Sequence, residues 1–561
     1  MDSAVGLVVA RGTLRGTAGW MPVEGWARRL PIHRGQGPRA TALPGGWMFA
    51  MVKAAALVGV DARPVTVEVF LADRLPCVQT VGLPARAIKE SEDRVRSAIT
   101  AAGIEFPKKR IVVNLAPADL PKSGTGFDLA IAVGILRAAG AIGGTRTDEF
   151  LVIGELGLDG ELRAVPGVLA AALAARKTEC VGIVVPRANG PEAALVEGLD
   201  VCASSSLDDV VGFLSGSRSA PPVPPPQPLA RAACVPDLRD VRGLASARRA
   251  LEVAAAGGHN LLLLGPPGTG KSMLARRLPS ILPPLERDEA LEVTRIHSVG
   301  GVLDVDSGMV GERPFRAPHH TVTPQALVGG GVPIRPGEVT LAHHGVLFLD
   351  EMPEFPRGAL EVMRQPLEDR RVTIARASQR VAFPADFQLV ATANPCPCGY
   401  EGDPHRACRC SPGQVTRYRE RMSGPLLDRV DLFSYVPRTR YTALSDMECG
   451  EPSSDVAGRV TAARRRQLER LDDRSEALRI NARLRRADLD RLCAIPAAGK
   501  ELMRDAVDGG LLSPRAHDRV LRVARTLADL AGRAAVAEED VSEAIGLRMD
   551  AHPIEGRRED H

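Results

Sequence analysis

Eight consecutive residues, Gly265, Pro266, Pro267, Gly268, Thr269, Gly270, Lys271 and Ser272, follow the apolar run Leu261, Leu262, Leu263 and Leu264. Their types and order are those that a nucleotide phosphate requires between a strand and a helix. Glycines permit a tight turn whose backbone N–H groups point inward at phosphate oxygens, and the helix expected next adds its positive end. Lys271 is expected to reach the β- and γ-phosphates and Ser272 to hold Mg²⁺. A plain glycine turn is the alternative, but every fixed position and the preceding apolar run agree with a phosphate cradle for ATP or GTP.

The parts needed to use that nucleotide lie downstream. The run from Gly345 to Leu349 has the pattern of a buried strand and ends in Asp350 and Glu351. Asp350 is expected to hold Mg²⁺ through water, and Glu351 to orient and polarise the attacking water. A second apolar strand over residues 387–393 ends at Asn394, whose amide is suited to positioning that water. Arg429, between Asp428 and Asp431 on a short helix, is the candidate arginine finger, since a guanidinium offers permanent charge and several donors to a transferring phosphoryl group. The alternative for Arg429 is an intrachain salt bridge with Asp428 or Asp431. Ser513, Pro514 and Arg515 read as N-cap, first helical residue and first-turn arginine of a helix through Leu527, from which Arg515 is expected to reach the nucleotide.

Cys396, Cys398, Cys408 and Cys410 form a C-x-C-x9-C-x-C cluster in a hydrophilic stretch. Four thiolates so placed suit one tetrahedral Zn²⁺, although the gaps are tighter than usual. Two disulfides or reduced free thiols are the alternatives, and His405 is a substitute ligand. The paired histidines His319, His320, His343 and His344 have no adjacent carboxylate in the sequence and read as structural or loop residues.

These groups need several cores to hold them, and 561 residues suffice. No apolar stretch reaches the ~18 residues of a membrane span; residues 165–175 come nearest. A proline-rich stretch at 220–228 reads as a stiff extended spacer. Residues 1–50 hold all three tryptophans and six arginines against only Asp2 and Glu24, and read as a disordered or untranslated extension ahead of a start at Met48 or Met51. A net charge of +4 does not demand nucleic acid, and 3% aromatic content leaves few rings for base stacking, so any DNA contact should be to phosphates. Residues 370–381 are expected to form a basic hairpin, with a solvated charged hairpin as the alternative. The run Arg464, Arg465 and Arg466 reads as a helix surface.

The region from 241 to about 547 resembles the AAA+ ATPases of the magnesium-chelatase type, most of all the bacterial ComM/YifB group. The resemblance is carried by Ala254-Ala255-Ala256-Gly257-Gly258-His259-Asn260, Arg313-Pro314-Phe315-Arg316-Ala317-Pro318-His319-His320, Leu327-Val328-Gly329-Gly330-Gly331, Arg364-Gln365-Pro366-Leu367-Glu368 and Asn394-Pro395-Cys396-Pro397-Cys398-Gly399. It implies Walker A at 265–272, Walker B at Asp350 and Glu351, sensor 1 at Asn394, a finger at Arg429 and sensor 2 at Arg515, with ATP and Mg²⁺ as cofactors. The N-terminal half looks like a Lon-protease-type domain of the ribosomal S5 superfamily, on the words Val78 to Pro84, Val113 to Leu120, Lys122 to Leu129 and Gly154-Glu155-Leu156. The peptidase pattern puts its nucleophile at Gly126 and its lysine at Leu169, neither of which can hydrolyse an amide. A slipped alignment would invoke Ser123 and Lys122 instead.

The expectation is therefore an α/β multidomain chain with an S5/Lon-protease-like α+β domain, a P-loop AAA+ α/β core and a C-terminal helical lid. The expected boundaries are 1–50 extension, 51–215 Lon-like domain, 216–236 linker, 237–437 ATPase core, 438–550 lid and 551–561 tail. The resemblance implies a cytoplasmic homo-oligomeric ring, a hexamer, acting on DNA as a helicase or branch-migration factor. A metal-inserting chelatase ATPase and an ATP-dependent protease are the alternatives. A chelatase ATPase subunit usually lacks the Lon-like domain, and Gly126 and Leu169 oppose the protease.

Overall fold

The computed structural model describes residues 41–43, 47–82, 90–122, 124–223, 236–303, 308–376, 379–438, 450–471 and 480–549. The tail at 551–561, Ser123, most of the extension and most of the expected spacer lie outside the described residues.

Alternating burial builds the N-terminal sheet. β1 (Thr41–Leu43), β2 (Trp47–Val58), β3 (Asp61–Ala72), β4 (Cys77–Val81), β5 (Arg110–Ala116), β6 (Phe150–Val152), β7 (Gly182–Pro186) and β8 (Asp200–Ser204) form an eight-stranded mixed sheet. Its order is β8-β7-β6-β2-β3-β5-β4, with β1 on β2. In β3 the inward residues Val65, Val67, Val69 and Leu71 are buried at every second position, the period of a strand. The boundary expected at residue 51 falls inside β2, because Met48, Phe49 and Ala50 already pair with Leu71, Phe70 and Val69. The wholly buried helix α1 (Asp128–Ala138) and the alanine-rich helix α2 (Val168–Lys177) belong to separate apolar clusters of the domain.

The second half is organised around a five-stranded parallel sheet. β9 (Leu261–Leu264), β10 (Phe315–Arg316), β11 (Val346–Leu349), β14 (Gln388–Ala393) and β15 (Leu432–Tyr435) lie in the order β10-β11-β14-β9-β15. Between β11 and β14 the chain makes a separate antiparallel hairpin, β12 (Arg371–Arg376) and β13 (Gln379–Pro384). Every residue of β9, β11 and β14 is buried, which requires a layer on each face. One layer is helix α3 (Ala245–Gly257) with the C-terminal helices α8 (Ser453–Arg470), α9 (Ala497–Asp508), α10 (Pro514–Leu530) and α11 (Glu538–Met549). Val520, Val523, Ala524, Leu527 and Ala528 give α10 the apolar stripe that joins this core. The helices expected to form a lid thus continue the apolar layer that α3 lays over the sheet.

The remaining helices introduced below are α4 (Lys271–Ala275), α5 (Arg287–Gly300), α6 (Pro412–Arg419) and α7 (Gly424–Leu427). No described helix is long and apolar enough to cross a membrane.

Candidate nucleotide site

Register alone aligns the candidate groups at the carboxyl ends of the parallel strands. Leu264 pairs with Ala393 and Leu349 with Ala391, so Gly265 lies level with Asn394 and Asp350 level with Thr392. Gly265 has to be glycine, because a Cβ there would stand 2.2 Å from the Val436 carbonyl oxygen. Gly270, at φ 90°, caps α4, which is one short turn rather than a long helix. Lys271 Nζ donates to the carbonyls of Gly265 at 2.7 Å and Pro266 at 2.8 Å and to Asn394 Oδ1 at 3.0 Å. Burial pushes the Lys271 ammonium down to about 8, against the pull of Asp350 and Glu351. Ser272 Oγ donates to Asp350 Oδ1 at 2.7 Å, which brings together the two groups expected at Mg²⁺.

Thr392, which the sequence reading missed, ties this corner together. Its hydroxyl donates to Asp350 Oδ1 at 2.7 Å and accepts the Glu351 amide at 2.8 Å. Glu351 needs such a hold because its backbone is left-handed, at φ 54°, where a non-glycine residue is strained by about 1 kcal/mol. The signal was a lone hydroxyl two residues before Asn394 in a strand whose other polar residue is Gln388.

The two arginines occupy the other end of the sheet. Asn260, which begins β9, donates from Nδ2 to the Arg429 carbonyl at 2.8 Å, and its own carbonyl accepts the Asp431 amide. From Asn260 to Gly265 the strand spans roughly 16 Å at ~3.3 Å per residue, so Arg429 is that far from its own phosphate loop. Neither acid beside it in sequence is its partner. Arg429 donates to the Pro425 carbonyl at 2.6 Å and to the Glu368 carboxylate. Asp431 is taken by Arg519 and by the Asn260 amide, and burial is overcome there by Arg519 and His259, which hold its carboxyl well below the usual range. Ser513 does cap α10 by accepting from the Ala516 amide, and α10 runs on to Leu530. Arg515, 81% exposed, pairs with Asp428 at 3.2 Å beside Arg429 and is thereby held away from the phosphate loop of its own chain.

A cleft of about 320 Å³ at this end is lined by Arg370, Arg429, Arg483, Arg485, Arg519 and Arg522 against three acids. Glu368, Asp386 and Asp431 are each spoken for by Arg429, Arg483 and Arg519. Among the described residues Arg370 has no carboxylate partner. Burial and the like charges of Arg483 and Arg522 lower its guanidinium to about 10. An anion entering the cleft would relieve that repulsion.

The four cysteines converge between α6 and the phosphate loop. Cys396 Sγ is 3.4 Å from Cys398 Sγ and 3.6 Å from Cys408 Sγ, Cys398 and Cys408 are 3.6 Å apart, and all four sulfurs lie within 4.8 Å of one another. A disulfide needs about 2.05 Å, so no bond is formed among them. His405 is not in the cluster; its backbone amide bonds to Asp403.

Two readings of the sequence need correction. Glu292 on α5 supplies the carboxylate that His343 and His344 lacked, at 3.4 and 3.2 Å. Residues fifty positions apart hid it. The Asp386 amide donates to His343 Nδ1 at 2.9 Å, and burial lowers the pKa of the His343 ring against the pull of Glu292. Arg464 and Arg466 are not a surface face: they donate to the Ala255 and Asp529 carbonyls, and only Arg465 is exposed. Of the slipped protease alternative only Lys122 is described; it is buried and donates to the Pro117 carbonyl.

Gly126 lies on the wall of a cavity of about 560 Å³ that the N-terminal domain shares with the end of α5. Leu169 is fully buried, and its amide donates to Glu192 Oε1 at 2.7 Å. Ser298 of α5 donates to the same oxygen and accepts the Gly167 amide at 2.8 Å, joining the two halves.

Three family models match in succession: "Subunit ChlI of Mg-chelatase" over residues 67–189, "Magnesium chelatase, subunit ChlI" over 237–444, and "Magnesium chelatase, subunit ChlI C-terminal" over 450–548. The uncharacterized protein YifB of Salmonella typhimurium is 42% identical over 501 residues, covering 89% of this chain and 97% of that protein. The competence protein ComM of Haemophilus influenzae is 43% identical over 509 residues, with the same two shares. An uncharacterized protein of Mycobacterium bovis is 45% identical over 496 residues, 88% of this chain and 97% of its own length. The magnesium-chelatase subunit ChlI of Euglena gracilis aligns over only 24% of this chain, at 24% identity. With near full-length relatives on one side and partial chelatase alignments on the other, the chain belongs to the ComM/YifB-type, magnesium-chelatase-like AAA+ ATPases.

Proposed function

We propose that the chain hydrolyses ATP with Mg²⁺ as a ring-shaped homo-oligomer, a hexamer, and uses the energy to remodel DNA as a helicase or branch-migration motor. The observation that carries the assembly is the division of the sheet: the phosphate loop, Asp350, Glu351 and Asn394 gather at the carboxyl ends of the strands, while Arg429 and Arg515 gather at the amino ends. In a chain so built the backbone of Arg429 lies about a strand's length from its own phosphate loop, which favours service to a neighbour. Stacked head to tail, each chain supplies them to the next.

In this reading Lys271 and the loop amides hold the phosphates, Ser272 and Asp350 hold Mg²⁺, and Glu351 polarises a water that Asn394 positions. Arg429 meets the charge developing on the γ-phosphoryl group, with Arg515 as a second cation beside it.

DNA as the object of the motor rests on the full-length likeness to a competence protein and on the β12–β13 hairpin. Arg371, Arg376 and Arg380 are exposed along it, while Val381 and Phe383 root it against Val60, Ile296 and Leu341. A rooted basic finger suits phosphate contacts that weaken with salt. The chelatase alternative draws on the ChlI name of the model matched over residues 67–189, against the partial alignments of the chelatase subunits. Turnover of ATP with and without forked, single-stranded and duplex DNA separates the two. Stimulation by DNA that falls with added salt is expected; no stimulation by any DNA transfers the case to the chelatase reading.

A further inference from the structure

The cysteine cluster lies in a stretch with no core of its own. No residue from 400 to 410 is buried, and none lies in a helix or strand, yet this stretch connects Asn394 to α6. Ion pairs of Glu401 with Arg419 and of Asp403 with Arg438 anchor it at two points, and no apolar burial of its own does.

We propose that Cys396, Cys398, Cys408 and Cys410 bind one Zn²⁺, and that this zinc holds the phosphate loop in register with Asn394. Four thiolates about 2.3 Å from a tetrahedral zinc stand about 3.8 Å from each other. The separations of 3.4, 3.6 and 3.6 Å approach that edge and are far from a disulfide. The Cys398 amide donates to Cys410 Sγ and the Cys410 amide to Cys408 Sγ, each at 3.4 Å, so the backbone already supports negative sulfur. On loading, each thiol gives its proton to solvent and its lone pair to the metal, leaving a site of net charge −2.

The link to the nucleotide is steric and short. The Gly399 amide closes a turn on the Cys396 carbonyl at 2.9 Å, and Gly399, at φ 82°, presses on the phosphate loop so closely that a Cβ would stand 2.5 Å from Pro267 Cδ. On the far side of the cluster, α6 begins with a capping box between Ser411 and Gln414 and carries the buried Tyr418 to the Asn394 backbone. The zinc therefore ties one loop to two parts of the candidate ATP site, Pro267 and Asn394. This second half of the inference rests on the nucleotide reading above; the metal site does not.

The full-length protein, purified without added metal, should contain about one zinc per chain by elemental analysis. Replacing zinc with Co²⁺ should give the intense visible bands and thiolate charge-transfer absorption of a tetrahedral four-sulfur site. Stripping the metal should weaken ATP binding roughly tenfold, with recovery on adding Zn²⁺. Gly399→Ala keeps all four ligands and should keep its zinc while binding ATP several-fold more weakly. A folded native protein with no zinc, or with iron in its place, overturns the metal assignment. Unchanged ATP affinity in both the stripped protein and Gly399→Ala overturns the coupling. A zinc-loaded chain that binds no ATP contradicts the nucleotide reading, while the cobalt spectrum still upholds the metal site.

Discussion

The two ends of one parallel sheet differ in chemistry as sharply as two separate proteins might. At the carboxyl ends a lysine meets the Asn394 amide at 3.0 Å, two hydroxyls meet the Asp350 carboxylate at 2.7 Å, and Thr392 holds the Glu351 backbone. At the amino ends six arginines crowd a cleft that holds only three acids. The first end is satisfied within the chain and waits for a polyanion and a metal. The second has cations to spare, and about a strand's length separates it from the anion it would serve. Such complementary surfaces on opposite ends of a rigid sheet are what a head-to-tail assembly requires.

The largest expected effect lies at the first end. Glu351→Gln keeps the shape of the side chain and its amide bond to Thr392 but loses the carboxylate, so ATP should still bind while turnover falls by about a thousandfold. Lys271→Ala should instead abolish detectable binding. Turnover of Glu351→Gln equal to wild type would remove that residue from its role. At the second end, Arg370→Ala should lower kcat about tenfold with little change in ATP affinity, because the phosphate loop that binds is elsewhere. A change in affinity without a change in kcat would mean that the cleft serves only its own chain.

How much of this division could be read from the sequence depended on whether a group's partners were neighbours in the chain. The phosphate loop and the acids after β11 were legible because each is a contiguous word on a strand end, and strand register did the rest. The arginine cleft was not, since it draws on residues near 370, 429, 483 and 520 brought together only by the packing of α10 on the sheet edge. Arg464 was misread for the same reason. Its run of three arginines looks solvated, but α8 turns it into the Ala255 carbonyl, where burial and the charges of Arg313 and Arg483 lower it to about 9. Glu292 completes a histidine cluster from α5, a helix that the histidine word gives no hint of.

Titration sharpens the contrast further. Lys271 is a base whose pKa is depressed in the folded chain, so it is charged below about 8 and neutral above. Phosphate needs the charged form, so ATP affinity should be flat near pH 7 and fall as pH rises through 8, approaching tenfold per unit. Isothermal titration at several pH values measures this; affinity that rises above pH 8 would contradict the assignment of Lys271 to phosphate. The smallest effect is expected from Thr392→Val, which leaves volume unchanged but strands the Glu351 amide and leaves Asp350 Oδ1 to Ser272 alone. Turnover should drop about fivefold.

The central claim is that a complete site exists only between two chains, and mixing two dead variants tests it most directly. Arg429→Ala retains an intact phosphate loop, Lys271→Ala retains an intact arginine end, and each alone should hydrolyse ATP at least a hundredfold more slowly than wild type. Mixed and reassembled, some neighbours bring an intact loop to an intact arginine, so activity should return to a substantial fraction of wild type. Normal hydrolysis by assembled Arg429→Ala alone, or no recovery in mixtures shown to co-assemble, would contradict it.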